Sequence, residues 1–173
     1  VPPVAATSAG EQSLTARYYK PYHLHGAIAP SAARATWDGQ HLSVVSHSQG
    51  PHILRGALAN ALSMDASAID VTHEPNAGCY GHNGADDAAM DAALVALALP
   101  GQQILLKWTR EDEHLWEPMS PATVIDVQAH FQGRINYWSA DVYSETHSGR
   151  PGPTPGASTL IAAGERLIPL PRP

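Results

Sequence analysis

The segment Asn76-Ala77-Gly78-Cys79-Tyr80-Gly81-His82-Asn83-Gly84 sets three glycines within seven residues, between two stretches of different period. Before it, Ile69, Val71 and His73 alternate with Asp70 and Thr72, the two-residue repeat of a short strand. After it, Met90, Leu94 and Leu97 recur at helical spacing from about Ala85 to Leu99, and Pro100-Gly101 ends the run. Asp86 and Asp87 fall in the first turn of that helix, where acids oppose the helix dipole. Glycine serves where the backbone turns sharply or approaches a ligand closely. A second unit of the same kind lies upstream. Leu42 to Ser46 reads as a strand and Ser46-His47-Ser48-Gln49-Gly50-Pro51 as a turn. Pro51 suits a first helical position, and Leu54, Leu58, Ala61 and Leu62 follow as one apolar face.

Two strand–turn–helix units restrict the chain to a sheet that carries helices. Arg34–Trp37 and Leu42–Ser46 flank Asp38-Gly39, a hairpin-turn pair. Arg17 to Ile28, rich in Tyr and His, is expected to form a strand despite Pro21, and Ile104, Leu106 and Trp108 mark another. Ile125, Val127, Ala129 and Phe131 alternate up to Gln132-Gly133, and Ile135 to Ser144 follows, which predicts a long antiparallel hairpin. The expected fold is α+β: a mixed β-sheet with two main helices packed on one face, plus that hairpin. Residues 1–16 read as an extended lead-in, 17–149 as the domain, and 150–173 as a proline-rich arm or linker, since proline removes a donor and disfavours helix before it.

A chain of 173 residues with 43% hydrophobic content can bury one domain core. Its two lysines and eight scattered arginines, with a net charge of −6, offer no concentrated basic face for nucleic acid and no polybasic membrane anchor. No apolar run approaches the roughly 18 residues of a membrane span, and no signal peptide is visible. One cysteine, Cys79, excludes an intrachain disulfide, and the compartment, cytoplasmic or periplasmic, stays open.

Main-chain N–H groups at a glycine turn can cradle an anionic or strongly polar group, although a plain turn also fits the 76–84 pattern. The spacing is not a dinucleotide fingerprint, its acids would repel phosphate, and no Gly-Lys-Ser/Thr follows. Gln49 offers a carboxamide that both donates and accepts; local chemistry alone favours a helix cap by Ser48 with Gln49 exposed. His23, His25, His47, His52, Cys79 and His82 lack the paired, tight spacing of a zinc site, so no protein-ligated metal is expected. Ser46 to Gly50 is not a nucleophile elbow, and no cysteine-hydrolase pattern flanks Cys79. Arg110-Glu111-Asp112-Glu113-His114 reads as a solvated or ion-paired turn.

Taken in order, SHSQG from Ser46, PHILRGALANAL from Pro51 and NAGCYGHNGADDAAMDAALVA from Asn76 resemble the xanthine dehydrogenase and aldehyde oxidase family. The likeness is to its isoquinoline 1-oxidoreductase and nicotinate dehydrogenase branch. TREDEHLWEPMSPA from Thr109 and INYWSADVYSETHSGRPG from Ile135 resemble the same branch, as does RYYKPYHLHGAIAPSAA from Arg17 more weakly. The resemblance implies a molybdenum hydroxylase large subunit whose metal is held by molybdopterin, not by side chains, with water as oxygen source and electrons leaving through an iron–sulfur subunit. It implies that Gln49 hydrogen-bonds an oxygen ligand on the molybdenum and that the main chain of Tyr80 and Gly81 lies against metal and pterin. Gly78 would permit that approach, with Gly50 and Cys79 in the same two loops. Where purine enzymes carry Lys-Glu, this chain has His82-Asn83-Gly84 with Asp86 beyond, so His82, Asn83 and Asp86 are the substrate-side candidates and an aldehyde or N-heteroaromatic substrate fits better than a purine. Ala29 stands where many relatives carry Glu. No segment matches the family's catalytic glutamate, so catalysis by this chain alone is not expected, and the remainder of the large subunit is an expected partner. The competing reading is a cofactor-free interaction or assembly domain of the same fold.

Overall fold

The computed structural model describes residues 10–76, 78–145 and Leu160. These form seven strands and three helices in two units. The smaller unit takes residues up to His23 and from Ser120. It contains β1 (Gln12–Lys20), β6 (Thr123–Phe131) and β7 (Ile135–Ser144) in the order β1-β6-β7, all antiparallel. The hairpin β6–β7 turns where expected, with Gly133 at φ +72 and a register shift between His130 and Phe131. The strand expected over Arg17 to Ile28 is corrected. It starts at Gln12, within the extended lead-in, and stops at Lys20, before Pro21. All nine of its residues pair with β6, from Gln12 opposite Phe131 to Lys20 opposite Thr123, and proline has no N–H to extend such a ladder. Leu14, Tyr18, Trp138 and Val142 share one face of this sheet and are exposed. Thr15, Arg17, Asp126 and Asp141 share the other, where Arg17 Nε and Nη2 donate to Asp126 at 2.5 and 2.6 Å.

The larger unit takes Leu24–Met119 with Leu160. It contains β2 (Ala32–Trp37), β3 (Leu42–Ser46), α1 (Pro51–Leu62), a short 3-10 turn at Ala66–Ala68, β4 (Ile69–His73), α2 (Ala85–Ala98), β5 (Gln103–Lys107) and α3 (Arg110–Trp116). Residues 17–149, read as one domain, thus contribute to both units. The mixed sheet runs β4-β3-β2-β5. β2 pairs antiparallel with β3 and with β5, whereas β3 and β4 run parallel, joined through α1. Asp38 Oδ1 closes the β2–β3 turn by accepting from Gln40 N at 2.8 Å and His41 N at 2.6 Å, and these bonds hold its carboxyl below the usual range.

Alternation decides which face is buried. Ala33 and Ala35, Leu42 and Val44, and Ile69 occupy paired positions on one side and form the core with Leu54 and Leu58 of α1 and Ala89, Met90 and Ala93 of α2. Alanines on both β2 and α2 leave no bulk between backbone and backbone, so the helix lies close on the sheet. Leu160 is buried in the same core. Apart from that residue, the proline-rich arm expected over 150–173 lies outside the described residues. Among the described residues, no helix is long and apolar enough to cross a membrane.

α3 corrects the reading of Arg110 to His114 as a turn. Thr109 caps it: its Oγ1 accepts from Asp112 N at 3.1 Å, and Asp112 Oδ2 accepts from Thr109 N at 2.9 Å. The carboxyl of Asp112 is held below its usual value by those bonds to Thr109. Replacing Thr109 with alanine is expected to destabilise the chain by about 1 kcal/mol, read as a lower urea midpoint. An unchanged midpoint would show that the capping box contributes nothing.

Ser46, at the end of β3, lies opposite His73, at the end of β4. Because the two strands are parallel neighbours, the turns that follow them leave the sheet at the same end.

Candidate functional site

The first turn, 46–50, is held from within and from both sides. Ser46 Oγ donates to Ala85 O at 3.2 Å and accepts from Ser48 N at 3.1 Å. Ser48 Oγ accepts from Gly50 N at 3.1 Å, and Ser48 O lies 3.0 Å from His73 Nδ1. Ser48 therefore does not cap α1. Gly50 holds the cap position and has no side chain with which to cap, while the Ser48 hydroxyl is used inside the turn. Gln49 is exposed at the tip, as local chemistry predicts.

The second turn, 76–84, has two halves. Its outer half is half-buried at Gly78 and Cys79, exposed at Tyr80 and Gly81, and conformationally costly. Gly78 has φ +99, Tyr80 φ +54 and Gly81 φ +142. A tyrosine in the left-handed region is uncommon, and such strain persists where surrounding structure imposes it. Tyr80 is 62% exposed, and a Cβ on Gly78 would come within 2.7 Å of its ring. Asn76 Oδ1 accepts from Gly78 N at 3.1 Å, and the Cys79 thiol donates to Gly81 O at 3.0 Å.

The inner half is buried. His82, Asn83 and Asp86, the substrate-side candidates, are each 3% exposed. Asn83 Oδ1 accepts from Ala85 N at 3.2 Å, and its Nδ2 reaches back to Gly78 O at 3.4 Å. His82 Nε2 lies 3.7 Å from Asp86 Oδ2, one helical turn on. The halves of the site meet here: Asn83 Nδ2 is 3.3 Å from His47 Nδ1, in the first turn. Burial pushes the His47 imidazole below its ordinary value, partly opposed by the Glu113 and Asp86 carboxylates, so the ring is neutral at pH 7.

Four residues to which sequence reasoning gave no role in the site support the second turn. Glu113 of α3 is fully buried; its Oε2 accepts from Ser31 N at 2.6 Å, and its Oε1 from Ser31 Oγ at 3.1 Å and Gly84 N at 3.2 Å. Glu117, one turn later, accepts from His25 N and lies 3.0 Å from His25 Nδ1. The His25 ring covers Gly81 and the Trp108 ring covers Gly84 so closely that a Cβ on either glycine would fall inside the ring's contact radius. Trp108 Nε1 donates to Asp91 Oδ2 at 2.9 Å; burial pushes the Asp91 carboxyl up, against that bond. Each ring is thus oriented by a carboxylate. The readable signal was Thr109-x-x-Asp112, a capping box, which announces a helix whose next turns carry Glu113 and Glu117.

The arrangement offers a partly exposed turn at 78–81, glycines at 81 and 84 with rings packed where a side chain would be, and a carboxamide on the neighbouring turn. That suits a polar planar ligand recognised by backbone amides. Among the described residues, no group of three or more His, Cys, Asp or Glu is placed to hold a metal ion directly.

Comparisons with known proteins show the family and the fold. The chain is 40% identical over 116 residues to a subunit of the nicotinate dehydrogenase of Pseudomonas putida, an alignment covering 67% of this chain and 10% of that protein. It superposes on quinoline 2-oxidoreductase of Pseudomonas putida 86 with TM-score 0.61 at 17% identity, over 79% of this chain and 18% of that one. Against the aldehyde oxidoreductase of Desulfovibrio desulfuricans the TM-score is 0.57 at 15% identity, over 79% and 16% of the two chains. The chain therefore spans about a tenth of the length of the dehydrogenase subunit and under a fifth of each superposed structure. Residues 4–158 match the molybdopterin cofactor-binding domain family. With nearly the whole described chain inside that match, and both glycine turns within it, the protein belongs to the molybdopterin cofactor-binding domain family.

Proposed function

We propose that this chain supplies one wall of the cofactor site in a molybdenum hydroxylase that oxidises an aldehyde or an N-heteroaromatic compound. The observation that carries this reading is the junction of the two turns at one end of the sheet, His47 to Asn83 and Ser46 to Ala85, with Tyr80 and Gly81 exposed and Gly78 and Cys79 half-buried beside it. Gln49 and Gly50 from one turn, with Gly78, Cys79, Tyr80 and Gly81 from the other, would hold molybdopterin through main-chain groups and one carboxamide. The bound cofactor supplies the redox chemistry that hydroxylates carbon with oxygen from water. The chain's own residues bind and orient. Gly81 admits close approach, the Gln49 amide can donate or accept, and His82, Asn83 and Asp86 shape the substrate side from beneath the turn. The substrate class is supported by the names of the relatives: nicotinate, quinoline and aldehyde enzymes. The relative's standing as a subunit supports partners, the remainder of the large subunit and an iron–sulfur subunit.

The exposed apolar face of Leu14, Tyr18, Trp138 and Val142 supports a second reading, an interaction domain without cofactor. Expression in a host that makes the molybdenum cofactor decides between them. Molybdenum and pterin should purify with the chain in equal amounts. Gln49→Ala should lower both about tenfold, equivalent to roughly 1.4 kcal/mol and the size of one hydrogen bond to a strongly polar group. The melting temperature of the variant checks that it is folded. Equal retention by the wild type and Gln49→Ala would remove the glutamine from the site, and no molybdenum in either would favour the second reading.

A further inference from the structure

Buried Glu117 and half-buried His25 form a pair that the cofactor-binding residues do not include. The Glu117 side chain is fully buried, and its Oε2 has no hydrogen-bond partner among the described residues. A buried carboxylate oxygen left in that state requires an explanation, because such groups are nearly always paired. The other oxygen meets both the His25 main-chain N–H and, at 3.0 Å, the His25 Nδ1. His25 Nδ1 also lies 2.9 Å from His82 O. Both of these partners are acceptors, so Nδ1 must carry a proton shared between them. The carboxylate thereby fixes tautomer and ring plane together. The ring so fixed lies against Gly81 at its Cδ2–Nε2 edge, in the space a side chain would fill. One imidazole therefore touches the turn twice, by a bond to the carbonyl of His82 and by contact behind Gly81.

We propose that Glu117 and His25 are positioning residues for the molybdopterin-facing turn: the carboxylate holds the imidazole, and the imidazole sets the main-chain conformation of Gly81 and His82. This rests on the reading that the 78–81 turn meets the cofactor, and it adds two residues that act through that turn without touching the cofactor. It also explains a histidine where a simple filler would be apolar. The ring must donate from one nitrogen and be flat enough to lie behind a glycine.

Two substitutions separate this role from plain packing. Asparagine places an N–H where histidine has Nδ1; glutamine places its N–H where histidine has Nε2. Hydrogen exchange at His82, Asn83 and Gly84 of the full chain should rise about tenfold or more in His25→Gln, equivalent to roughly 1.4 kcal/mol of local opening, and stay near wild type in His25→Asn. Glu117→Gln keeps an acceptor oxygen and should stay near wild type, whereas Glu117→Ala should behave like His25→Gln. In protein from the cofactor-competent host, molybdenum content should follow the same order. Equal exchange in His25→Asn and His25→Gln would overturn the proposal, whether both were fast or both were slow. Wild-type chain without molybdenum would defeat the functional reading above, and the exchange comparison on the same chain would still decide whether the pair sets the turn.

Discussion

Glu113→Ala is expected to destabilise the larger unit by roughly 3 kcal/mol or more, since three buried donors lose their acceptor and each unpaired group is worth about 1–3 kcal/mol. The donors are Ser31 N, Ser31 Oγ and Gly84 N, which arise at the start of β2 and at the junction between the second turn and α2. Glu113 and Ser31 are fully buried, so water does not reach the donors left behind. Glu113→Gln should fall between the two. Its remaining oxygen can serve Ser31 N, but its NH2 group then faces the Ser31 hydroxyl and the Gly84 amide. The order wild type, glutamine, alanine in urea midpoint, at constant slope, is the expected result. A glutamine variant as stable as wild type would show that the charge is irrelevant and that shape alone holds the turn.

Gly84→Ala is expected to cost about 1–3 kcal/mol through overpacking, although its φ of −77 would tolerate alanine readily. The obstacle is Trp108, whose ring occupies the place of the new Cβ. The ring cannot swing aside cheaply. Its Nε1 is bonded to Asp91 and its own backbone N donates to Ser31 O at 2.9 Å. The test is a double-mutant cycle. Trp108→Leu removes the obstructing ring, so Gly84→Ala should cost less in that background than in the wild type. Additive effects would mean that the glycine is required by its backbone and not by the tryptophan.

Much of this architecture was legible because period and punctuation agreed. Pro51 and the spacing of Leu54 and Leu58 located α1, Gly84 and Pro100 bracketed α2, and Gln132-Gly133 marked the hairpin that β6 and β7 form. These signals are local, and local signals survive in a single sequence. The two glycine turns were legible for the same reason, as was the family. What was not legible depends on contacts distant in the chain. β1 starts where its partner β6 begins to offer hydrogen bonds, and nothing in residues 12–16 announces that partner. α3 resembled a charged surface turn because three of its first four residues are acidic, and burial of Glu113 is decided by Ser31, 82 positions earlier. The histidine at position 25 showed only a near neighbour, His23, and no metal-site spacing. It belongs instead with Glu117, 92 positions later.

β3 and β4 run side by side in the same direction, and this has a consequence for how such a protein can diverge. Nearness of the two glycine turns is a property of main-chain pairing, which asks little of the side chains at the tips. Descendants can rewrite residues such as Gln49 or Tyr80, and with them the chemistry on offer, while the distance between the turns is inherited unchanged. Displacement by a single position along the β3–β4 ladder would do the opposite, sending Val44 and Ile69 to the solvent face and dismantling the foundation together with the site.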